Sequence, residues 1–163
     1  MRKWFFLFVL PLFLLACNEE KTGPVDVHYD RDMCERCRMI ISEPKYVAQV
    51  RGGPNKQVWK FDDIGDAVTW LNDKPWAGDK ETEIWVMDYT SGTQWVDARS
   101  AYFVPGYLSP MAYGFAAFKA ERPMSVDFKT MLEKVLKKKI TINCDPLDPQ
   151  HSKLTTSNKK RRA

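Results

Sequence analysis

Apolar and polar positions divide this chain into blocks of different period. Trp4 to Leu15 is apolar, interrupted only by Pro11 and preceded by Arg2 and Lys3. That run is short for a membrane-spanning helix and has the basic-then-apolar order of a secretory signal. Beyond a polar stretch, Tyr46–Arg51 and Gln57–Phe61 read as two strands around a turn at Gly52-Gly53-Pro54. Asp62 or Asp63 supplies a helix cap, after which Ile64, Ala67, Val68 and Leu71 recur at helical spacing. Glu83–Tyr89 and Thr93–Asp97 read as strands joined at Ser91-Gly92, and Tyr113–Phe118 as another. Pro123 opens a second predicted helix, with Phe128, Met131, Leu132, Val135 and Leu136 on one face. Lys134, Lys137, Lys138 and Lys139 crowd its end, where the helix dipole favours cations.

Strand–strand–helix thus occurs twice, which predicts an α+β fold of two similar ββα-type halves sharing one core. The expected layout is a signal peptide at 1–16, a lipidated linker at 17–27, a folded domain at 28–140 with halves at about 28–80 and 81–140, and a basic, flexible tail at 141–163. Composition agrees with a folded chain: of 163 residues, 44% are hydrophobic and 28% charged. The net charge of +4 comes largely from the end of the chain, where Lys153, Lys159, Lys160, Arg161 and Arg162 face no acid after Ser152. A nucleic-acid partner therefore does not follow from the charge.

The apolar run ends Leu14-Leu15-Ala16-Cys17, which resembles a bacterial lipobox, with Cys17 as the lipidated residue. Asn18 rather than Asp follows it, an order that favours the outer membrane, facing the periplasm. The lipid would anchor the protein by burying methylenes. Three cysteines remain, Cys34, Cys37 and Cys144, so at least one thiol has no partner within the chain. In an oxidising compartment an unpaired thiol calls for a reason, and a soft metal is one.

The segment Met33-Cys34-Glu35-Arg36-Cys37-Arg38-Met39 concentrates soft sulfur donors, which favour copper(I) over hard cations. In an extended segment Cys37 and Met39 would point to one side and reach one ion. Cys34 is a third donor or a resolving thiol. Met111, in a loop between Pro110 and Gly114, is placed to close a sulfur site from the other half. Three alternatives compete. A redox C-x-x-C usually opens a helix, and Pro44 opposes a long one here. Structural zinc ordinarily takes four ligands. A Cys34–Cys37 disulfide would be purely structural. His28 and His151 read as exposed, and Asp62-Asp63 as a cap rather than a metal clamp.

These residues resemble the NosL family, copper chaperones that serve nitrous oxide reductase. The resemblance is carried by Cys17, by Cys34-x-x-Cys37-x-Met39 with Pro44 and Ala48-Gln49, by Phe61-Asp62-Asp63-Ile64, and by Ala101-Tyr102-Phe103-Val104 with Ser109-Pro110-Met111, Gly114 and Ala117-Phe118. It implies a non-enzymatic, lipid-anchored copper(I) metallochaperone with Cys37, Met39 and Met111 as ligands and Cys34 as a weaker candidate. It also implies a cuproenzyme client, nitrous oxide reductase or another, and a membrane ABC transporter as docking partner. Arg38 stands where the family usually has Gly, which restricts the backbone and adds charge. The competing reading is an envelope thiol–disulfide redox lipoprotein using Cys34 and Cys37.

Overall fold

A computed structural model describes residues 22–137. The segment expected to be a signal peptide, Cys17, Cys144, His151 and the basic C-terminal stretch lie outside the described residues.

Eight elements follow in order: β1 (Ala48–Gly52), β2 (Gln57–Phe61), α1 (Ile64–Asn72), β3 (Glu83–Met87), β4 (Trp95–Asp97), β5 (Tyr102–Pro105), β6 (Phe115–Phe118) and α2 (Phe128–Lys137). A single 3₁₀ turn at Pro44–Tyr46 leads into β1. β1 to β4 form one antiparallel sheet in the order β2-β1-β3-β4, and β5-β6 form a separate hairpin. The α+β class thus stands. The two halves are stitched together where β1 pairs with β3, in the register Val50 opposite Ile84. The strand–strand–helix succession recurs, but the second half carries the extra hairpin β5–β6 before its helix.

β1 is central, and all five of its residues are buried. Its two polar side chains must therefore find partners, and they find them in the N-terminal strap. Gln49 Nε2 donates to the Val25 carbonyl (2.7 Å), and Gln49 Oε1 accepts from Val25 N (2.9 Å). Arg51 Nε donates to the Gly23 carbonyl (2.9 Å), and Gly23 N donates to Glu83 Oε2 (2.7 Å). Residues 22–27, expected as linker, are in this respect built onto the sheet.

The β1–β2 turn is tight because Gly52 lies under Trp76: a Cβ there would come within 2.6 Å of the indole. Trp76 in turn stacks on Trp59, with ring centroids 5.1 Å apart. α1 is capped by Asp63, whose carboxylate accepts from Gly65 N at 2.8 Å. Its apolar face of Ile64, Ala67, Val68 and Leu71 is buried as the periodicity requires.

Several boundaries differ from the sequence reading. β1 starts at Ala48 rather than Tyr46, and β3 ends at Met87 rather than Tyr89. The predicted strand at Tyr113–Phe118 begins at Phe115, and it pairs with β5, which the hydrophobic pattern did not reveal. The returning strand at Thr93–Asp97 is only Trp95–Asp97. The second helix begins at Phe128, not at Pro123. The intervening residues make other bonds: Val126 and Phe103 exchange two backbone hydrogen bonds (2.8 and 2.9 Å), and Met124 takes a φ of +62°. Asp127 then accepts from Thr130 N at 2.8 Å and starts the helix. Met131 and Val135 are buried, but Leu136 is exposed.

Candidate metal centre

The segment before β1 closes on itself. Met33 and Ile40 form an antiparallel bridge, Cys34 N donates to the Met39 carbonyl (2.8 Å), and Arg38 N donates to the Cys34 carbonyl (3.1 Å). The loop is fastened to β2 through Glu35 N and the Lys60 carbonyl (2.9 Å). Such a turn needs one left-handed residue, and Arg38 supplies it with a φ of +62°. That explains why glycine suits this position. The stretch from Cys37 to Met39 is consequently not extended. Cys37 faces inward at 6% exposure, whereas Met39 is 50% exposed.

Cys34 and Cys37 are both free thiols and both buried. They meet the start of α1. Cys34 Sγ donates to Asp66 Oδ2 at 3.4 Å, and Cys37 Sγ lies 3.6 Å from both oxygens of Asp62. Its hydrogen bond with Cys37, followed by burial, pushes the Cys34 thiol well above its ordinary value. Burial likewise raises the Asp62 carboxyl. Asp66 is fully buried and answered by Arg36, whose guanidinium donates to Oδ1 at 2.7 Å and also reaches the Tyr113 hydroxyl at 3.2 Å. Tyr113 packs on Gly65, where a Cβ would lie 1.9 Å from the ring.

The loop carrying Met111 is tied to the same helix end. Asp63 Oδ2 accepts from Ser109 Oγ (2.5 Å) and from Met111 N (3.3 Å), while Ser109 Oγ accepts from Gly114 N (3.0 Å). Burial lifts the Asp63 carboxyl to about 6. Adjacent residues thus hold the two parts: Asp62 touches Cys37, and Asp63 positions Met111. Cys34, Cys37 and Met111 belong to one core cluster, whereas Met39 is half exposed. His28 is exposed and lies near Asp32.

Asp62 and Asp66 are the residues that sequence reasoning missed. Their ligand atoms and those of Cys34 and Cys37 all lie within 4.8 Å of one another. A signal was present for Asp66, which falls among the buried apolar positions Ile64, Ala67 and Val68 at the start of α1. A carboxylate among apolar positions must be paired. Chemically, the arrangement offers two buried thiols and two buried carboxylates side by side, with Met111 buried in the same core cluster as the thiols and Met39 half exposed.

A search of the curated proteins finds no match. Among solved structures, the crystal structure of the copper chaperone NosL from Shewanella denitrificans is similar, with a TM-score of 0.54 and 18% identity over 70% of this chain and 89% of that one. At that identity the likeness bears on the fold. The family model NosL matches residues 24–124. That span contains the cysteine turn, the capped helix start and the Met111 loop, and the chain belongs to the NosL family.

Proposed function

We propose that this protein is a copper(I) metallochaperone, holding one ion on Cys37, Met39 and Met111 with Cys34 as a further donor. The observation that carries the reading is the sulfur arrangement. A buried free thiol at Cys37 stands two residues from the half-exposed thioether of Met39. The Met111 loop is fastened to the residue next to the one that Cys37 contacts. Thiolate and thioether donors select copper(I) over hard cations. Membership of the NosL family, the name that the solved copper chaperone from Shewanella denitrificans also bears, supports the same cargo.

Transfer proceeds by ligand exchange. An incoming sulfur or imidazole of the client joins the low-coordinate ion from the Met39 side, and the chaperone sulfurs then leave. Copper stays monovalent throughout, so no oxidant or reductant is needed. The client in this reading is a periplasmic cuproenzyme, the copper–sulfide centre of nitrous oxide reductase foremost, with a membrane ABC transporter as docking partner. Lipidation at Cys17 keeps the protein at the outer membrane, on its periplasmic side.

The redox alternative fits less well. A thiol–disulfide catalyst needs an accessible thiolate, yet Cys34 is fully buried and its thiol is pushed up.

Titration of the reduced protein with copper(I) against a competing chelator tests the cargo. One ion per chain is expected, and Cys37→Ser loses at least about tenfold in affinity. Unchanged affinity in that variant removes Cys37 from the site. Metabolic labelling with palmitate, lost in Cys17→Ala, tests the anchor.

A further inference from the structure

A second cluster of aromatic side chains stands apart from the main core. Val104, Ala116 and Phe118 form its base, and the half-buried Tyr46, Tyr89 and Tyr107 pack against them. The Tyr89 ring centroid lies 4.8 Å from that of Tyr107 and 5.6 Å from that of Phe118. Over these rings opens a cleft of about 550 Å³, lined among others by Lys45, Tyr89, Tyr107, Phe118, Arg122 and Met124. We propose that this cleft is a docking surface for a peptide segment of a partner protein, one that presents carboxylates together with an apolar side chain.

Charge and apolar exposure both point to that occupant. Among the described residues, Lys45 and Arg122 are the only charged side chains lining the cleft. Lys45 Nζ sits 5.1 Å from the centre of the Tyr89 ring, and the Arg122 guanidinium 5.2 Å from that of Phe118. Each cation is thus held over an aromatic face, and Arg122 also donates to Thr90 Oγ1 at 3.2 Å. Neither forms an ion pair among the described residues. A carboxylate entering the cleft therefore meets two cations that no acid answers, and hydrogen bonds between such charged partners are the strong ones. Leu108 at 90% and Met124 at 80% are the most exposed large apolar side chains among the described residues. Met124 lines the cleft, and Leu108 directly follows Tyr107, which lines it too. Aromatic, methionine and arginine side chains are the types enriched in protein interfaces. An apolar side chain of the partner would take the rings out of water, whereas a flat lipid surface would leave the floor of the cleft unfilled. The same hairpin brackets the Met111 loop: β5 ends at Pro105, β6 begins at Phe115, and Tyr107 N donates to the Gly114 carbonyl at 3.2 Å. A partner seated in the cleft stands beside the loop that carries Met111.

A fluorescein-labelled decapeptide alternating aspartate with leucine, added to the full, reduced chain, is the probe. Saturable binding is expected, and high salt should weaken it at least about fivefold. Lys45→Gln combined with Arg122→Gln should weaken it at least about fivefold as well. Both side chains are exposed, so their replacement leaves the core untouched. Lys45→Glu combined with Arg122→Glu should reject this peptide and accept one that alternates lysine with leucine. Amide shifts during the titration should centre on Tyr89, Tyr107 and Phe118. Full affinity in the double glutamine variant means that the basic C-terminal stretch alone holds the peptide, and it overturns the proposal. Binding to phosphatidylglycerol vesicles without binding to the peptide overturns it too, and assigns the surface to lipid. The surface does not depend on the copper reading, and copper(I) titration is a separate arm in which the double glutamine variant should match the wild type. Peptide binding without copper uptake removes only the chaperone reading, and copper uptake without peptide binding removes only the docking surface.

Discussion

Replacement of Asp63 by Ala isolates the residue that joins the helix start to the Met111 loop. The substitution removes the cap on Gly65 N, the acceptor of Ser109 Oγ and the partner of Met111 N. The cap is worth about 1 kcal/mol, the hydroxyl bond about 1 kcal/mol, and a buried amide left unanswered at Met111 about 1 kcal/mol more. With a neutral carboxyl, the loss is therefore about 3 kcal/mol. Ionisation works against this. Burial lifts the Asp63 carboxyl from 3.8 to about 6, so the folded chain binds this proton more tightly than the unfolded chain. The stabilisation is fully present below 3.8 and is lost as pH rises through about 6. The gap amounts to about 3 kcal/mol. Asp63→Ala should therefore destabilise the protein by about 1.5 kcal/mol at pH 5 and by close to nothing at pH 8. Urea denaturation of wild type and variant at both pH values measures this, since groups common to both chains cancel in the difference. A destabilisation that stays constant or grows between pH 5 and pH 8 refutes the assignment of a raised carboxyl at Asp63. The variant also frees the Met111 loop, so its copper(I) affinity should fall at pH 8 even though its stability hardly changes.

The other predictions concern the turn, the helix contact and the thioethers. Arg38→Gly relieves a left-handed φ of +62° and surrenders only an exposed ion pair to Glu35; it should stabilise the protein by about 1 kcal/mol in urea denaturation. Gly65→Ala drives a methyl group into the Tyr113 ring, 1.9 Å from its nearest carbon, and should destabilise by about 3 kcal/mol, read as a lowered midpoint of denaturation. Met39→Leu, at a half-exposed position, should change stability by less than about 0.5 kcal/mol while weakening copper(I) binding about tenfold in chelator competition. Equal copper affinity in that variant would remove Met39 from the ligand set.

Periodicity was enough for the elements whose side chains alternate or recur cleanly. The β1–β2 hairpin, α1, and β3 with the turn after it lie close to where the apolar pattern puts them, because their apolar side chains enter the same core. The Asp62-Asp63 pair was legible as a helix start, and Asp63 is the cap. β5 was not legible, because Tyr102–Pro105 is short, ends in proline and owes its strand geometry to pairing with β6. The start of α2 was misplaced because a bridge from Val126 to Phe103, a tertiary bond, outcompetes helix at the residues after Pro123.

The site divides along the same line. Donor chemistry is a property of residue type, so the sequence alone determined that soft sulfur gathers at Cys34, Cys37 and Met39 and that Met111 sits in a loop; that packing leaves Met111 free was an expectation the structure overturns, since the side chain is buried in the core. The family resemblance was legible there as well, since it rests on ordered residues. Only the tertiary structure decided which neighbours those sulfurs have. Arg38 adopts a left-handed turn, and this sends Cys37 inward and leaves Met39 outward. Asp62 lies just before the cap of α1 and Asp66 in its first turn, both after the β1–β2 hairpin in sequence whereas the cysteine turn comes before it, and the fold brings them to the two thiols. Hydrophobic patterning records which face of an element is buried, but the partner across the core is chosen by how the elements pack, and that information is not local to any segment of the chain.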